Sequence, residues 1–251
     1  MTTVRDILNF TETFAPLATA ADFDNCGVLV GSKDINVTKV LLALDITKDV
    51  VMEAKNIGAQ LIISHHPVIF HPIKSLCEDS VPYLLAHTGI TALCLHTNLD
   101  IAENYGVNVC LANALGLTDC KLYKEDFLLI GKLSKAMDVK EFASFTKNVL
   151  NADAVLYTES NRQLKTVAMC SGAGADFLGL AKEKGADVFL TGEARHHEYI
   201  EASEGDIPLV TAGHFATEDV VITPLKAKLS ETFADVEFYK SETCKNPYKA
   251  I

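Results

Sequence analysis

No apolar run in this chain approaches the ~20 residues that a membrane-spanning helix needs. The first residues, MTTVRDILNFTETFAP, carry acids and helical spacing, so they do not resemble a secretory signal. Positive charge is scarce: 22 Lys and Arg stand against 33 Asp and Glu, a formal net charge of −11. That balance argues against a broad nucleic-acid-binding surface, which needs clustered cations, but permits a small local cationic pocket. There is no CxxC pair, and the seven cysteines are an odd number. Cys94, Cys110 and Cys170 lie in apolar stretches and are expected in the core, as reduced thiols of a cytoplasmic protein. No Pro/Gly/Ser-rich linker divides the chain. The remaining composition, 49% hydrophobic and 22% charged, is that of an ordinary globular protein with a sizeable core.

Short apolar runs alternate with amphipathic stretches. Val40–Ile46, Leu61–Ser64, Thr91–Leu95, Phe127–Leu133, Thr166–Cys170, Val188–Thr191, Leu209–Thr211 and Val236–Tyr239 have the character of strands. Helices are expected at Asp49–Ile57 with Gly58 as stop, at Val81–Thr88, and at Gly106–Leu115 with Gly116 as stop. Another should open on the Asp138/Glu141 capping pair and run to about Leu150, and one capped by Thr217 should run toward Phe233. The alternation implies layered α/β architecture. AKNIGAQLIIS from Ala54 is echoed by AKEKGADVFLT from Ala181, about half the chain further on. Each echo is followed shortly by a histidine pair, His65-His66 and His196-His197. A duplicated α/β unit explains this, and so does common helix-to-strand connection chemistry.

Three segments share a ligand vocabulary, and each follows an expected strand. SHHP carries His65 and His66, LHTNLD carries His96 and Asp100, and AGHFATE carries His214 and Glu218. Strand C-terminal ends are where open α/β sheets place their sites. Histidine with carboxylate suits Zn, Fe, Mn, Co or Ni, and the number of donors exceeds what one tetrahedral zinc needs. It suits two cations ~3.5–4 Å apart that lower the pKa of a shared water. Taken singly, each segment also has a plain structural explanation: a turn, a cap or an i,i+4 pair. SGAGADF offers Ser171, Gly172 and Gly174 either as a phosphate-binding backbone nest or as a tight strand-to-helix turn. It lacks the third glycine of GxGxxG and the lysine of a P-loop. TGEARHHE offers Glu193 and His197 either as an acid/base pair or as an ordinary helix start.

In order along the chain, DFDNCGVLVG, SHHPVIFHPIKSL, HTNLD with GVNVCLANALGL, SGAGADF, ADVFLTGEARHHE and AGHFATE resemble the motifs of the NIF-three-like (NGG-interacting factor) family. Many of its bacterial members carry the label GTP cyclohydrolase I type 2 homologue. Phe23 stands where that family usually has tryptophan. The resemblance implies two related, intertwined α/β halves with helices packed on mixed sheets, here 1–125 and 126–251, and a dinuclear metal site between them. It implies His65, His66, Asp100, His214 and Glu218 as ligands of two divalent ions, with His96 and His197 nearby. It also implies a homohexamer, a trimer of dimers. Leu122–Lys165 is too short for the ferredoxin-like domain that many members insert in mid-chain, so the chain resembles the compact form. The expected activity is metal-dependent hydrolysis of a nucleotide or phosphate-bearing substrate, as a GTP cyclohydrolase or a phosphoesterase. The alternative is a non-catalytic metal-binding ring that recruits a protein partner.

Overall fold

The computed structural model describes residues 1–251. In chain order its first elements are α1 (Val4–Thr11), β1 (Gly27–Val30), β2 (Lys39–Ala43), α2 (Lys48–Ile57), β3 (Leu61–Ser64), α3 (Val81–Thr88), β4 (Thr91–Cys94) and α4 (Thr97–Asp100). There follow α5 (Val107–Ala114), β5 (Thr118–Tyr123), β6 (Leu128–Met137), α6 (Val139–Leu150), β7 (Leu156–Tyr157), β8 (Leu164–Cys170) and α7 (Leu178–Glu183). The last are β9 (Val188–Thr191), α8 (His196–Glu204), β10 (Leu209–Thr211), α9 (His214–Glu218), α10 (Ile222–Thr232) and β11 (Glu237–Lys240). No helix is long and apolar enough to cross a membrane.

These elements form two compact α/β units, each with helices packed on one mixed sheet. The first comprises Met1–Tyr105 and Ile222–Lys245, the second Gly106–Val221 and Asn246–Ile251. The units are therefore discontinuous in sequence, a different division from linear halves at 1–125 and 126–251. There are two causes: β5 pairs with β6 in the second sheet, and the C-terminal α10–β11 segment adds β11 to the first unit's sheet alongside β2.

In the first unit the sheet order is β1-β4-β3-β2-β11. β11, β2, β3 and β4 run parallel, and β1 closes the edge antiparallel to β4. The run LIIS of β3 is buried at all four positions, as a central parallel strand covered on both faces requires. Thr47 caps α2 by accepting a hydrogen bond from the Val50 N–H, and Gly58 ends it in the left-handed conformation at φ 73°. Val50, Val51 and Ala54 of α2 pack with Leu41, Ile62 and Leu85. Each such side chain contributes roughly 1.5–3 kcal/mol by leaving water.

In the second unit the order is β5-β6-β8-β9-β10-β7, with β8, β9 and β10 parallel. One apolar cluster holds Phe142, Met169 and Leu190; another holds Phe189, Ala168 and Leu178. Alternate residues of β9 thus enter different clusters, as the two-residue strand period dictates. α6 opens with a reciprocal capping box between Asp138 and Glu141 and ends at Asn151 in the left-handed region.

The internal echo has a topological counterpart. β2-β3-β4 and β8-β9-β10 are both parallel trios joined through helices. Gly58 and Gly185 occupy matching turns at φ 73° and 79°. The third strand of each trio is followed by a histidine and, four residues on, a carboxylate: His96 and Asp100, His214 and Glu218. The histidine pairs do not match: His65-His66 follow β3 directly, whereas His196-His197 open α8. Thr217 is not the cap of a long helix. It lies inside the short α9, and its hydroxyl donates to the Gly213 and His214 carbonyls.

Candidate metal centre

In the first unit, β3 delivers its histidines because the chain keeps sheet pairing for two residues beyond the strand. The His65 N–H donates to the Ala43 carbonyl and the His66 N–H to Leu44. Pro67 then turns the chain away. The third imidazole, His96, comes from the loop after β4. The three rings gather with centroids 5.1, 5.1 and 5.6 Å apart, and ligand nitrogens from all three lie within 4.8 Å of one another. Asp100, at the end of α4, brings Oδ1 to 3.5 Å from His65 Nε2.

Each ring is held from behind. His65 Nδ1–H donates to the Leu95 carbonyl at 2.9 Å. His66 Nδ1–H donates to Asp45 Oδ1 at 2.7 Å, and His96 Nδ1–H to Asp24 Oδ1 at 2.8 Å. Carbonyls and ionised carboxylates only accept, so these partners place the proton on Nδ1 and turn the Nε2 lone pair toward the cluster. Metal-binding histidines carry this kind of support, because the partner fixes the tautomer and raises ligand basicity. Asp24 also accepts from the Thr97 N–H and from the Cys26 thiol. Burial pushes its carboxyl pKa up, but hydrogen bonds from His96, Thr97 and Cys26 outweigh burial and hold it well below the usual carboxylate range.

In the second unit, β10 ends at Thr211 and Gly213 turns the chain at φ 90° into α9. His214 Nε2 then lies 3.0 Å from Glu218 Oε2, the i,i+4 partner one turn along. Glu193, from the loop after β9, accepts from His214 Nδ1 at 3.0 Å. All four imidazoles therefore share one plan: Nδ1 fixed on an acceptor, Nε2 presented beside a ligand-type group. The donor chemistry and this orientation fit a divalent transition metal in both places.

The SGAG turn has a different task from phosphate binding. The N–H groups of Ser171, Gly172 and Gly174 donate to Asn108 Oδ1, Thr217 Oγ1 and Thr191 Oγ1, so all three are engaged inside the fold. Gly172, at φ 61°, packs so closely on Glu218 that no side-chain atom fits between them. It leaves room for the carboxylate.

Glu193 and His197 are not joined as an acid/base pair. Glu193 orients His214, while His197 is largely exposed on α8 with its Nε2 4.0 Å from Glu198. Phe23 is exposed rather than packed in the core, its ring 6.4 Å from that of Phe70. Cys94, Cys110 and Cys170 are buried as expected, and burial pushes the Cys110 thiol up to about 11. Sequence reasoning did not single out the orienting acids Asp24 and Asp45. Asp45 ends the run VLLALD beside the strand that delivers the histidines, and that strand-end position was the available signal.

The fold and its donor groups together define an α/β protein equipped with histidine–carboxylate clusters that can hold metal. The chain belongs to the Duf34/NIF3 (NGG1p interacting factor 3) family, which it matches over residues 2–247. It is 33% identical to a Clostridium perfringens protein named GTP cyclohydrolase 1 type 2 homolog, over 99% of both chains. The crystal structure of Staphylococcus aureus protein SA1388 superposes with a TM-score of 0.93 at 27% identity, covering 100% of this chain and 99% of that one. A Bacillus cereus protein related to NIF3 superposes equally well, with a TM-score of 0.93 over 100% of this chain and 99% of its own; at 22% identity it attests the fold alone.

Proposed function

We propose that the protein is a metal-dependent hydrolase whose two half-sites serve one dinuclear centre. His65, His66 and Asp100 from the first unit and His214 and Glu218 from the second would hold two divalent cations. When bound, such cations supply Lewis acidity and make water nucleophilic near neutral pH. The observation that carries this reading is the uniform anchoring of the imidazoles. A merely structural histidine cluster has no need to fix every Nδ1 on an acceptor and turn every Nε2 toward a second ligand-type group.

The chain's own residues then have distinct tasks. Asp45, Asp24 and Glu193 hold the Nδ1 protons of His66, His96 and His214, which keeps those rings in the tautomer that coordinates. Gly172 makes room for the Glu218 carboxylate. His197 stands exposed, where it could exchange protons with bulk water. The relatives' name supports cyclohydrolase action on GTP as the specific form of the reaction; phosphoester hydrolysis is the generic form. The test is a screen of nucleotides and phosphoesters with verified metal content. Turnover that disappears with chelator and returns with one divalent metal is expected. No turnover from fully loaded protein would overturn the reading.

The family description, an interacting factor, favours a second reading: a metal-bearing homohexamer that recruits a protein partner. Under it, Asp100→Ala leaves partner binding intact. Under the first reading it abolishes turnover.

A further inference from the structure

The tripeptide Phe23-Asp24-Asn25 has three separate tasks in the first unit. Asp24 holds the Nδ1 proton of His96. Asn25 Nδ2 donates to the Ile69 carbonyl at 2.6 Å and so pins the loop that follows His65 and His66. Phe23 is left in water, 69% exposed. The segment is held in place around it: the Ala21 N–H donates to Thr97 Oγ1, and the Thr97 hydroxyl donates to Asp24.

The bond at Ile69 also positions the next residue. The Phe70 ring lies 4.7 Å from that of His71 and 6.2 Å from that of His96, centroid to centroid, at 74° and 83°. Phe23 lies 6.4 Å from Phe70 with their planes at 54°, so neither ring stacks on the other. Phe70 is itself 39% exposed. A single exposed apolar side chain is ordinary, but two phenyl rings fixed together in water beside an imidazole triad are not. A flat ring as exposed as Phe23 cannot have both faces covered. One face of Phe23 therefore stands open to solvent, one ring removed from His96.

We propose that Phe23 and Phe70 determine substrate specificity: Phe23 stacks the flat aromatic ring of a phosphate-bearing substrate, Phe70 flanks it, and the phosphate is thereby directed at the imidazoles. Stacking on an aromatic side chain needs only a π-face, so purine, pyrimidine and simple aryl rings all qualify and aliphatic chains do not. The hydrogen bonds at Ala21, Asp24 and Asn25 form the ledge in advance, which lowers the ordering cost of binding. A protein partner seated on the same two rings would crowd this approach to His96; a small flat ligand covers them and leaves it open. That the bound molecule is a substrate rests on the hydrolase reading; the preference for a ring does not.

The experiment is calorimetry on full-length, zinc-loaded protein with phenylphosphonate and propylphosphonate. The two probes carry the same anionic group on a ring or on a chain, and their C–P bond resists hydrolysis. Phenylphosphonate is expected to bind about tenfold or more tightly than propylphosphonate. Phe23→Ala should remove that difference and leave propylphosphonate unchanged. Phe23→Trp should keep it, and Phe23→Leu, apolar but without a ring, should not. On size-exclusion chromatography Phe23→Ala should match the parent. Equal affinity of the parent for both probes, binding of neither, equal weakening of both by Phe23→Ala, or a change of assembly in that variant overturns the proposal; the last would make the two rings a contact between copies. Equal phosphonate affinities sink the ledge and leave the hydrolase reading, whereas ring selectivity without turnover of any phosphoester does the reverse.

Discussion

Gly172 faces the Glu218 carboxylate at φ 61°, and a Cβ there would also stand 3.1 Å from His214 Nε2. The residue is a glycine for two reasons at once, backbone conformation and the volume of its neighbour. Gly172→Ala forces the carboxylate aside and places alanine where φ is positive, a strain of order 1–3 kcal/mol. The variant is expected to melt lower and to lose metal from the His214–Glu218 pair. Thermal melts with elemental analysis check both; full metal content would overturn the assignment.

Asp45 reaches the proposed metal centre only through His66, whose Nδ1 it holds. Asp45→Leu removes the acceptor from Nδ1, and loss of such an orienting partner costs 10–100-fold in metal affinity. Because the Asp45 side chain is half-exposed, the fold should be kept. A competition titration against a metal-binding dye measures the change. An unaltered affinity would show that the ring needs no support.

Metal removal should destabilise the protein by mass action. At free metal 100-fold above its dissociation constant, binding is worth about 2.7 kcal/mol, so chelation should lower the melting temperature and readdition should restore it. Elemental analysis of the reloaded protein should find two ions per chain. A single ion per chain would sink the dinuclear arrangement and leave a mononuclear one.

Glu53 governs part of the acid stability. Burial pushes its carboxyl up, but hydrogen bonds from the Ser241 and Thr243 hydroxyls and from the Glu242 and Thr243 N–H groups outweigh burial and hold it below its ordinary value. A group depressed in the folded state adds stability above its unfolded pKa, near ~4.3, and loses it as pH falls through the folded one. Glu53→Gln should therefore be less stable than the parent at pH 7, with the gap closing as pH drops below about 4. Urea unfolding across that range measures it; parallel curves would refute the role.

The elements most legible in the sequence are those with local, self-sufficient signals. LIIS and VFLT are short fully apolar runs between a glycine turn and polar residues, and both are strands with the expected bounds. Asp138 and Glu141 announce α6 because both partners of a capping box lie within four residues. β1, β5 and β7 were not visible: their residues are partly exposed, and their partners lie far along the chain. The placement of α10 and β11 in the first unit depends on β11 finding the edge of β2, and no local pattern encodes that. At the candidate site the histidines stood out by type and by strand-end position. Of their orienting acids, Asp24 and Asp45 did not, because a lone aspartate resembles any solvated charge; Glu193 did, though for a different role. The SGAG turn misled for a related reason: glycine spacing reveals freedom of the backbone, not whether its N–H groups are already taken.

The return of β11 to the first sheet sets an order on synthesis. The second unit's main segment, Gly106–Val221, is complete once it clears the ribosome, whereas the first sheet lacks an edge until residue 240 has emerged. Until then β2 exposes an unpaired rim of backbone groups, a template for mispairing with other nascent chains. The amino-terminal portion, although translated first, is therefore the later of the two to complete its sheet.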